Sequence, residues 1–277
     1  MTPSHKKEAT TIINNINSHA IRRIRRLRIR EEREQTGLCY IEGLRFVDQA
    51  FSQGAIIETL VVARPLLDHP YAQRLVKRLH RSGIPILYVT PAILHGISLV
   101  NDPQGLGAVV KQRWKRLADI KIEDELCWIA LSLVRSPGNL GTLLRTSEAV
   151  GGAGIILLDE STDPYDPTTV RATMGALFAQ RLVRATIDEF VQWKQRNHCM
   201  LIGTSPSAKE DYHTITYRHP TILLMGEERK SLPIELQALC DLMVNIPMVG
   251  KSDSLNLAIA TSVMLYEVFN QQRMSHV

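Results

Sequence analysis

The chain has 277 residues, 44% of them apolar, which is enough for two domains of ordinary size. No apolar run is long enough to cross a bilayer, and residues 1–7 lack the apolar stretch of a secretory signal, so we expect a cytoplasmic protein rather than a membrane or secreted one. Four scattered cysteines with no C-x-x-C pair indicate reduced thiols: Cys39, Cys127, Cys199 and Cys240.

Positive charge is concentrated in the first half of the chain. Residues 1–124 hold 20 Lys and Arg against 12 Asp and Glu, a net charge of +8. Residues 125–277 hold 13 against 16, a net charge of −3. This asymmetry predicts that the N-terminal half meets a polyanion while the C-terminal half has another task.

The first predicted helix covers residues 21–34 and is rich in arginine. Ile21, Ile24 and Leu27 recur every three residues, which predicts one apolar stripe packed on a core. The remaining surface carries six arginines that we predict to bind RNA: Arg22, Arg23, Arg25, Arg26, Arg28 and Arg30. A solvated helix neutralised by the glutamates that follow is the alternative. Because the arginines come first and a guanidinium forks onto phosphate, nucleic acid is favoured.

Strands and helices alternate through the rest of the first half. Helices are predicted over residues 44–53 and 71–81 and from Thr90-Pro91, and strands over 56–62, 84–89 and 106–110. We therefore predict an N-terminal extension (1–15), an RNA-binding α/β domain (16–110), a charged linker (111–124) and a second α/β domain (125–277).

The second half shows the same alternation. Strands are predicted over residues 126–134, 155–158, 200–203, 221–225 and 242–246, and helices over 139–150, 168–178, 187–197, 233–239 and 254–270. The pattern is that of an α/β domain with a parallel sheet.

Three polar blocks each follow one of these apolar strands. They are residues 137–141 with Arg145, residues 226–228, and residues 246–248 leading into 254–256. In open α/β sheets, ligands bind where loops leave the carboxyl ends of strands. The three blocks therefore predict one composite site built from distant parts of the chain.

Common cofactor and catalytic signatures are missing from the sequence. Residues 151–154 are glycine-rich but lie between a helix and a strand, which indicates a helix C-cap and turn rather than a phosphate loop. There is no Walker lysine motif and no His, Cys or carboxylate cluster with metal spacing, so no metal is expected. Ser254 has no nearby His, and a hydrolase triad has no support.

The blocks resemble the three motifs of the SpoU (TrmH-type) RNA 2′-O-ribose methyltransferases, a family of the SPOUT superfamily. Residues 137–146, 224–228 and 246–258 match the motifs in order, and residues 163–178 contain further similar stretches. Residues 16–110 resemble the small substrate-binding domain often found ahead of these enzymes. That second likeness depends on residues 40–43 and 104–106.

The resemblance implies a fold, a reaction and partners. The fold would be a SPOUT-type parallel sheet with a deep trefoil knot, preceded by a small ribosomal-protein-like α/β domain. The reaction would be methylation of a ribose 2′-hydroxyl in structured RNA, with S-adenosyl-L-methionine as cofactor and no metal. The chain would form a homodimer through its C-terminal domain. Composition and periodicity alone give no reason to expect a knot.

The resemblance also assigns site residues. The catalytic set would be Asn139, Arg145, Glu228, Ser254 and Asn256. Arg145 would act either as the base for the 2′-hydroxyl or as a clamp that orients the ribose and a phosphate. The clamp is physically easier because a guanidinium almost never loses its proton. Asn139 and Ser254 are also ordinary helix caps.

The cofactor pocket implied by the family would use main-chain groups and apolar walls at strand ends. Its residues would be Thr204, Leu224, Gly226, Ile246, Met248 and Leu255. Two positions depart from the family: Ser136 stands where Asp is common, and Ser231 where Gly is usual. The second departure puts the shape of that loop in question, because Ser is costly at a positive φ.

Several functions remain open at this point. A 23S rRNA substrate is favoured over tRNA because the two-domain arrangement resembles rRNA-directed members, and a site linked to antibiotic resistance is an alternative. A catalytically inactive RNA-binding protein of the same fold is a second hypothesis. A small-molecule α/β enzyme is a third, but it leaves the arginine-rich helix unexplained.

Overall fold

The computed structural model describes residues 12–122, 126–159, 161–227, 232–252 and 254–275. The chain divides into two compact units, residues 1–112 and 113–277. No helix in the described ranges is both long and apolar enough to cross a membrane.

The first unit is a mixed five-stranded sheet with helices. Its strands are β1 (Ile12–Ile13), β2 (Leu38–Glu42), β3 (Ile57–Val62), β4 (Ile86–Val89) and β5 (Leu106–Lys111), in the spatial order β1-β4-β3-β5-β2. Its helices are α1 (His19–Arg26), α2 (Arg30–Thr36), α3 (Leu44–Ser52), α4 (Pro70–Arg81) and α5 (Pro91–Ile97). Strand β5 runs antiparallel to β2 and β3, whereas β4 is parallel to β1 and β3.

The predicted apolar stripe of the arginine-rich segment is buried. Ile21, Ile24 and Leu27 pack in one core cluster with residues of α5 and of β3 to β5. The segment is two helices rather than the predicted one, because the backbone is extended at Ile29. The buried guanidinium of Arg33 donates to the Leu27 and Arg28 carbonyl oxygens at 3.0 and 2.8 Å, which satisfies carbonyls exposed by the break.

Residues 113–122 of the expected linker belong to the second unit, whereas Lys111 ends β5 of the first unit. Lys115 bridges to Val183, and residues 117–119 form one 3₁₀ turn. Leu117 and Ile120 are buried in the core of that unit. Charge had suggested a solvated connection, but the two apolar side chains dock this segment on the sheet.

The second unit contains strands β6 (Trp128–Ser132), β7 (Gly154–Leu158), β8 (Leu182–Ala185), β9 (Met200–Thr204), β10 (Glu210–Asp211), β11 (Thr221–Met225) and β12 (Leu242–Asn245). Its helices are α6 (Pro137–Ala149), α7 (Pro167–Ala172), α8 (Ile187–Arg196), α9 (Ile234–Gln237) and α10 (Leu257–Ser275). All strand pairs are parallel, in the order β10-β12-β9-β11-β6-β7-β8. The expected α/β architecture with a parallel sheet is confirmed.

One face of this sheet carries a large aromatic core. Trp128 on β6 packs edge-to-face on Trp193 of α8, with ring centroids 5.8 Å apart. The other face is covered by α6 and α10, and α10 contacts both α6 and β11. Strands buried on both faces explain the continuous apolar runs in the sequence.

Two predicted helices differ from those observed. The helix expected over residues 168–178 ends at Ala172, because Met174 and Gly175 have φ values of 52° and 100° before a 3₁₀ turn. The last helix was expected from Ser254 and begins at Leu257. Strands β1, β2, β8 and β10 were not predicted, and β1 and β10 have only two residues each.

Candidate active site

The loops that carry the polar blocks leave neighbouring strands on the same edge of the sheet. Strand β11 lies between β6 and β9, and β12 pairs with β9 on its far side. Because all these strands are parallel, their carboxyl ends share that edge. The segments after β6, β11 and β12 therefore start close together, as the composite-site hypothesis requires.

Helix α6 presents the first block. Its N-cap is Ser136, whose hydroxyl accepts from the Asn139 amide at 3.3 Å, so the departure from the family's Asp keeps a cap. Asn139 lies inside the first turn and is not the cap that the sequence allowed. Gly141 sits against α7, where an added Cβ would lie 2.3 Å from the Ala172 Cβ. This close approach fixes where the first turn of α6 lies.

A hydrogen bond joins the first block to the third. The Asn256 side-chain nitrogen donates to Oδ1 of Asn139 at 3.1 Å, across 117 residues of sequence. Asn256 Oδ1 also accepts from the Ala258 amide at 2.9 Å, so Asn256 caps α10. A second hydrogen bond, from the Ser262 hydroxyl to the Thr146 hydroxyl at 3.2 Å, joins the two helices about two turns further along each. The two blocks are thus held in fixed register.

Arg145 lies on α6 but points away from this contact. Six residues at about 100° each place it roughly 120° around the helix axis from Asn139. Its side chain is exposed, and no described residue pairs with it. The structure therefore does not bring Arg145 and Asn139 together within one chain.

The second block is only partly described. Glu228, which was predicted to be catalytic, lies outside the described residues. So does Ser231, which stands where the family usually has Gly. Their neighbour Glu227 forms an ion pair with Arg135 at 3.3 Å, linking the loops after β11 and β6. The pair was not predicted from the sequence, because 92 residues separate Arg135 from Glu227 and no local spacing joins them.

Ser254 is exposed and does not cap α10. The preference of Ser for caps had suggested that role, but Asn256 provides the acceptor two residues later. Ser254 nevertheless lies only two residues before Asn256, which contacts Asn139.

The predicted cofactor residues cluster at three adjoining strand ends. Thr204 ends β9 opposite Val244 of β12, and Gly203 is opposite Leu224 of β11. Leu224 is fully buried in the sheet core, and its strand is paired with β6 on one side and β9 on the other. Gly226 is half-buried, with Leu232 3.0 Å from the position of an added Cβ.

The third block offers apolar side chains next to open backbone. Ile246 and Leu255 are half-buried, and Met248 is 37% exposed. Within the described part of residues 246–252, no backbone amide donates to another main-chain group. Apolar walls beside unused amides are what a small aromatic ligand needs.

The three cysteines of the second unit have raised pKa values. Burial raises the pKa of Cys127 to about 12 and that of Cys199 and Cys240 to about 11. A thiol nucleophile is therefore not available in the second unit. Across the described ranges, no three His, Cys, Asp or Glu residues are grouped to hold a metal.

The six arginines predicted to bind RNA are all exposed, but they differ in whether another group of the chain already pairs with them. Arg23 pairs with Glu58 at 2.7 Å, and two others pair with glutamates of α2. Arg28 donates to the Ser98 carbonyl at 3.0 Å. Among the described residues, only Arg22 and Arg25 of the six have no partner.

Comparison with known families agrees with this geometry. Residues 127–266 match the model of the SpoU rRNA Methylase family. The chain belongs to the SpoU rRNA methylase family. Residues 18–108 also match the MRM3-like substrate binding domain. Both likenesses found in the sequence are thereby confirmed.

Similar proteins cover nearly the whole chain. A crystal structure of AdoMet-bound rRNA methyltransferase from Sinorhizobium meliloti is 36% identical with a TM-score of 0.85, covering 94% of this chain and 97% of that one. The 23S rRNA (uridine(2479)-2′-O)-methyltransferase of Streptomyces viridochromogenes is 29% identical over 88% of this chain and 86% of that protein. The 23S rRNA (guanosine(2553)-2′-O)-methyltransferase RlmP of Bacillus subtilis is 25% identical over 88% and 93%.

Proposed function

We propose that the protein transfers a methyl group from S-adenosyl-L-methionine to a ribose 2′-hydroxyl of 23S rRNA. The observation that carries the proposal is the Asn139–Asn256 hydrogen bond, which joins the first and third family motifs at the strand ends. Family membership over residues 127–266 and relatives named as 23S rRNA 2′-O-methyltransferases support it.

The strand-end residues fit the cofactor. Ile246, Met248 and Leu255 provide apolar walls beside buried Leu224, and the main chain at Gly226 and the amides of residues 246 and 248–252 provide polar contacts. When bound, S-adenosyl-L-methionine supplies a methyl group on a positively charged sulfur. Thr204 lies half-buried at the end of β9 and borders the same region.

The polar residues orient the acceptor ribose. Asn139 and Asn256 are joined by a hydrogen bond, so both side chains are held at set positions and the reacting oxygen can be aligned without reorganisation. Ser254 lies beside them at the mouth of the site, and Glu228 follows the Glu227–Arg135 pair. Alignment of this kind supplies several kcal/mol of a barrier reduction.

Arg145 acts as a clamp on RNA. Its guanidinium is exposed, and the planar fork of an arginine binds phosphate oxygens well, so the group suits a phosphate better than it suits the task of a base. Arg145 and Asn139 point to different sides of α6, so within one chain they would contact different parts of the substrate. In a dimer whose sites use residues of both chains, Arg145 of one chain could face Asn139 of the other.

We further propose the homodimer, the trefoil knot and the cytoplasmic location expected for this family. Ile259 and Tyr266 lie seven residues apart on α10 and are 53% and 49% exposed, an apolar stripe suited to a partner copy. After β12, the last helix, α10, packs back against α6 and β11. This return of the chain end towards earlier elements supports a knot, in which the end passes through a loop. The molar mass in solution tests the dimer, and a Tyr266→Glu variant is expected to be monomeric.

Transfer of labelled methyl from S-adenosyl-L-methionine to total bacterial RNA tests the main proposal. We expect label in 23S rRNA and none in tRNA. Label confined to tRNA would make the chain a tRNA ribose methyltransferase instead. Binding of rRNA without any transfer would favour a catalytically inactive RNA-binding protein.

A further inference from the structure

The N-terminal unit carries a second basic helix that the family motifs do not cover. Helix α4 buries Ala72, Leu75, Val76 and Leu79 against its own unit. Its opposite side carries Arg74, Lys77 and Arg81, all exposed. Their spacing of three and four residues places them on one face of the helix.

Nearby acidic groups do not neutralise this face. Asp48 of α3 accepts from Arg78 at 2.5 Å and from the Tyr71 hydroxyl at 2.5 Å, so both of its carboxylate oxygens are used. Arg78 also lies over the Phe51 ring, 5.0 Å from its centroid, and is thus a structural residue. In the part of the chain that the structure describes, Arg74, Lys77 and Arg81 pair with no acid.

Helix stability does not explain these charges. Cations in a last turn favour the helix dipole, which accounts for Arg81. Arg74 and Lys77 lie in the middle of α4, where like charges three and four residues apart weaken a helix. A polyanion bound along this face would remove that cost.

We propose that the outer face of α4, defined by Arg74, Lys77 and Arg81, is a contact surface for the RNA phosphate backbone. The proposal rests on the proposed function and names where its RNA meets the N-terminal unit. It also differs from the prediction made from the sequence, because four of the six arginines of the first basic segment are occupied within the chain.

The two basic surfaces belong to helices that pack in different places. Helices α1 and α5 share one core cluster with Val61 of β3. The buried residues of α4 are not members of that cluster, and α4 contacts α3. Variants on the two surfaces can therefore be separated by experiment.

The test compares binding of protein-free 23S rRNA by the full chain at several salt concentrations. The variant is Arg74→Gln/Lys77→Gln/Arg81→Gln, and the control is Arg22→Gln/Arg25→Gln on α1. Three lost phosphate contacts lower the slope of log K against log salt by about 2 to 3. We expect this loss for α4 and less than half of it for the control.

Further measurements separate a contact role from a folding defect. Arg74→Lys/Arg81→Lys keeps the charge, and we expect it to keep most of the salt slope. The α4 variant should raise KM for RNA and leave kcat at saturating RNA within about twofold of the original, since uniform binding is lost. An unchanged salt slope, or a larger loss in the control, would overturn the proposal. If the original chain binds rRNA but transfers no methyl, the proposed function fails while the salt comparison still decides this surface.

Discussion

Replacing Gly141 by Ala tests whether the contact between α6 and α7 positions the site. The added Cβ would lie 2.3 Å from the Ala172 Cβ and 2.8 Å from the Thr169 carbonyl oxygen. Carbon atoms in contact lie about 3.5–4.0 Å apart, so the helices must separate by more than about 1 Å. Overpacking of this kind costs about 1–3 kcal/mol.

The magnitude can be followed in two assays. A loss of about 1–3 kcal/mol lowers the Tm of a unit of this size by roughly 2–12 °C. All three tryptophans, at positions 114, 128 and 193, lie in the second unit, so tryptophan fluorescence melting reports on that unit alone. Because α6 carries Asn139, a shift of about 1 Å also lowers kcat by about a hundredfold.

Gly138 is the matched control for stability. It lies on the same helix three residues earlier, and its added Cβ would meet only the Ser136 hydroxyl oxygen, at 3.8 Å. Ala there fits without strain and favours a helix by up to about 1 kcal/mol, so Gly138→Ala should melt at the same temperature or higher. A Gly141→Ala protein that melts within about 1 °C of the original would refute the reasoning, and so would equal losses at both glycines.

Three other changes have defined outcomes. Arg145→Ala should lower kcat by about a hundredfold, whereas Arg145→Lys should recover part of the rate if the group is a clamp; full activity of Arg145→Ala in methyl transfer would remove its role. Asn256→Ala should lower the free energy of unfolding, measured with denaturant, by about 1 kcal/mol, because α10 loses its cap. It should also lower kcat, because the hydrogen bond to Asn139 is lost. An unchanged kcat would show that this hydrogen bond is dispensable. Burial raises the pKa of Cys127 to about 12 and that of Cys240 to about 11, so both thiols stay protonated at pH 8. We expect them to react with a disulfide reagent only when the protein unfolds or when the pH approaches those values. Rapid reaction of the native protein at pH 8 would contradict their burial.

Long periodic and strongly apolar segments were predictable from the sequence. Strand β11 was predicted with its observed bounds, and α4 and α8 within one residue at their ends. These elements are buried on one or both sides, so apolar periodicity specifies them. Short edge strands such as β10 have little burial of their own and depend on tertiary pairing, which no local pattern shows.

The site was predictable in its parts but not in its contacts. Polar blocks after strands indicated where the loops meet, yet the Asn139–Asn256 bond spans 117 residues and the Arg135–Glu227 pair follows no local spacing. Caps were misassigned for the same reason: Ser136, Asn139, Ser254 and Asn256 are all good caps, and packing decides which of them serve. The occupation of four arginines by neighbouring groups also required the fold.

The central claim is that the acceptor is a ribose 2′-hydroxyl of 23S rRNA. The direct measurement is alkaline hydrolysis of 23S rRNA after labelled methyl transfer, because a 2′-O-methyl group blocks cleavage of the following phosphodiester. We predict that the label is recovered in a single alkali-stable dinucleotide and that no labelled base is released. Label recovered as a methylated base in mononucleotides would contradict the account.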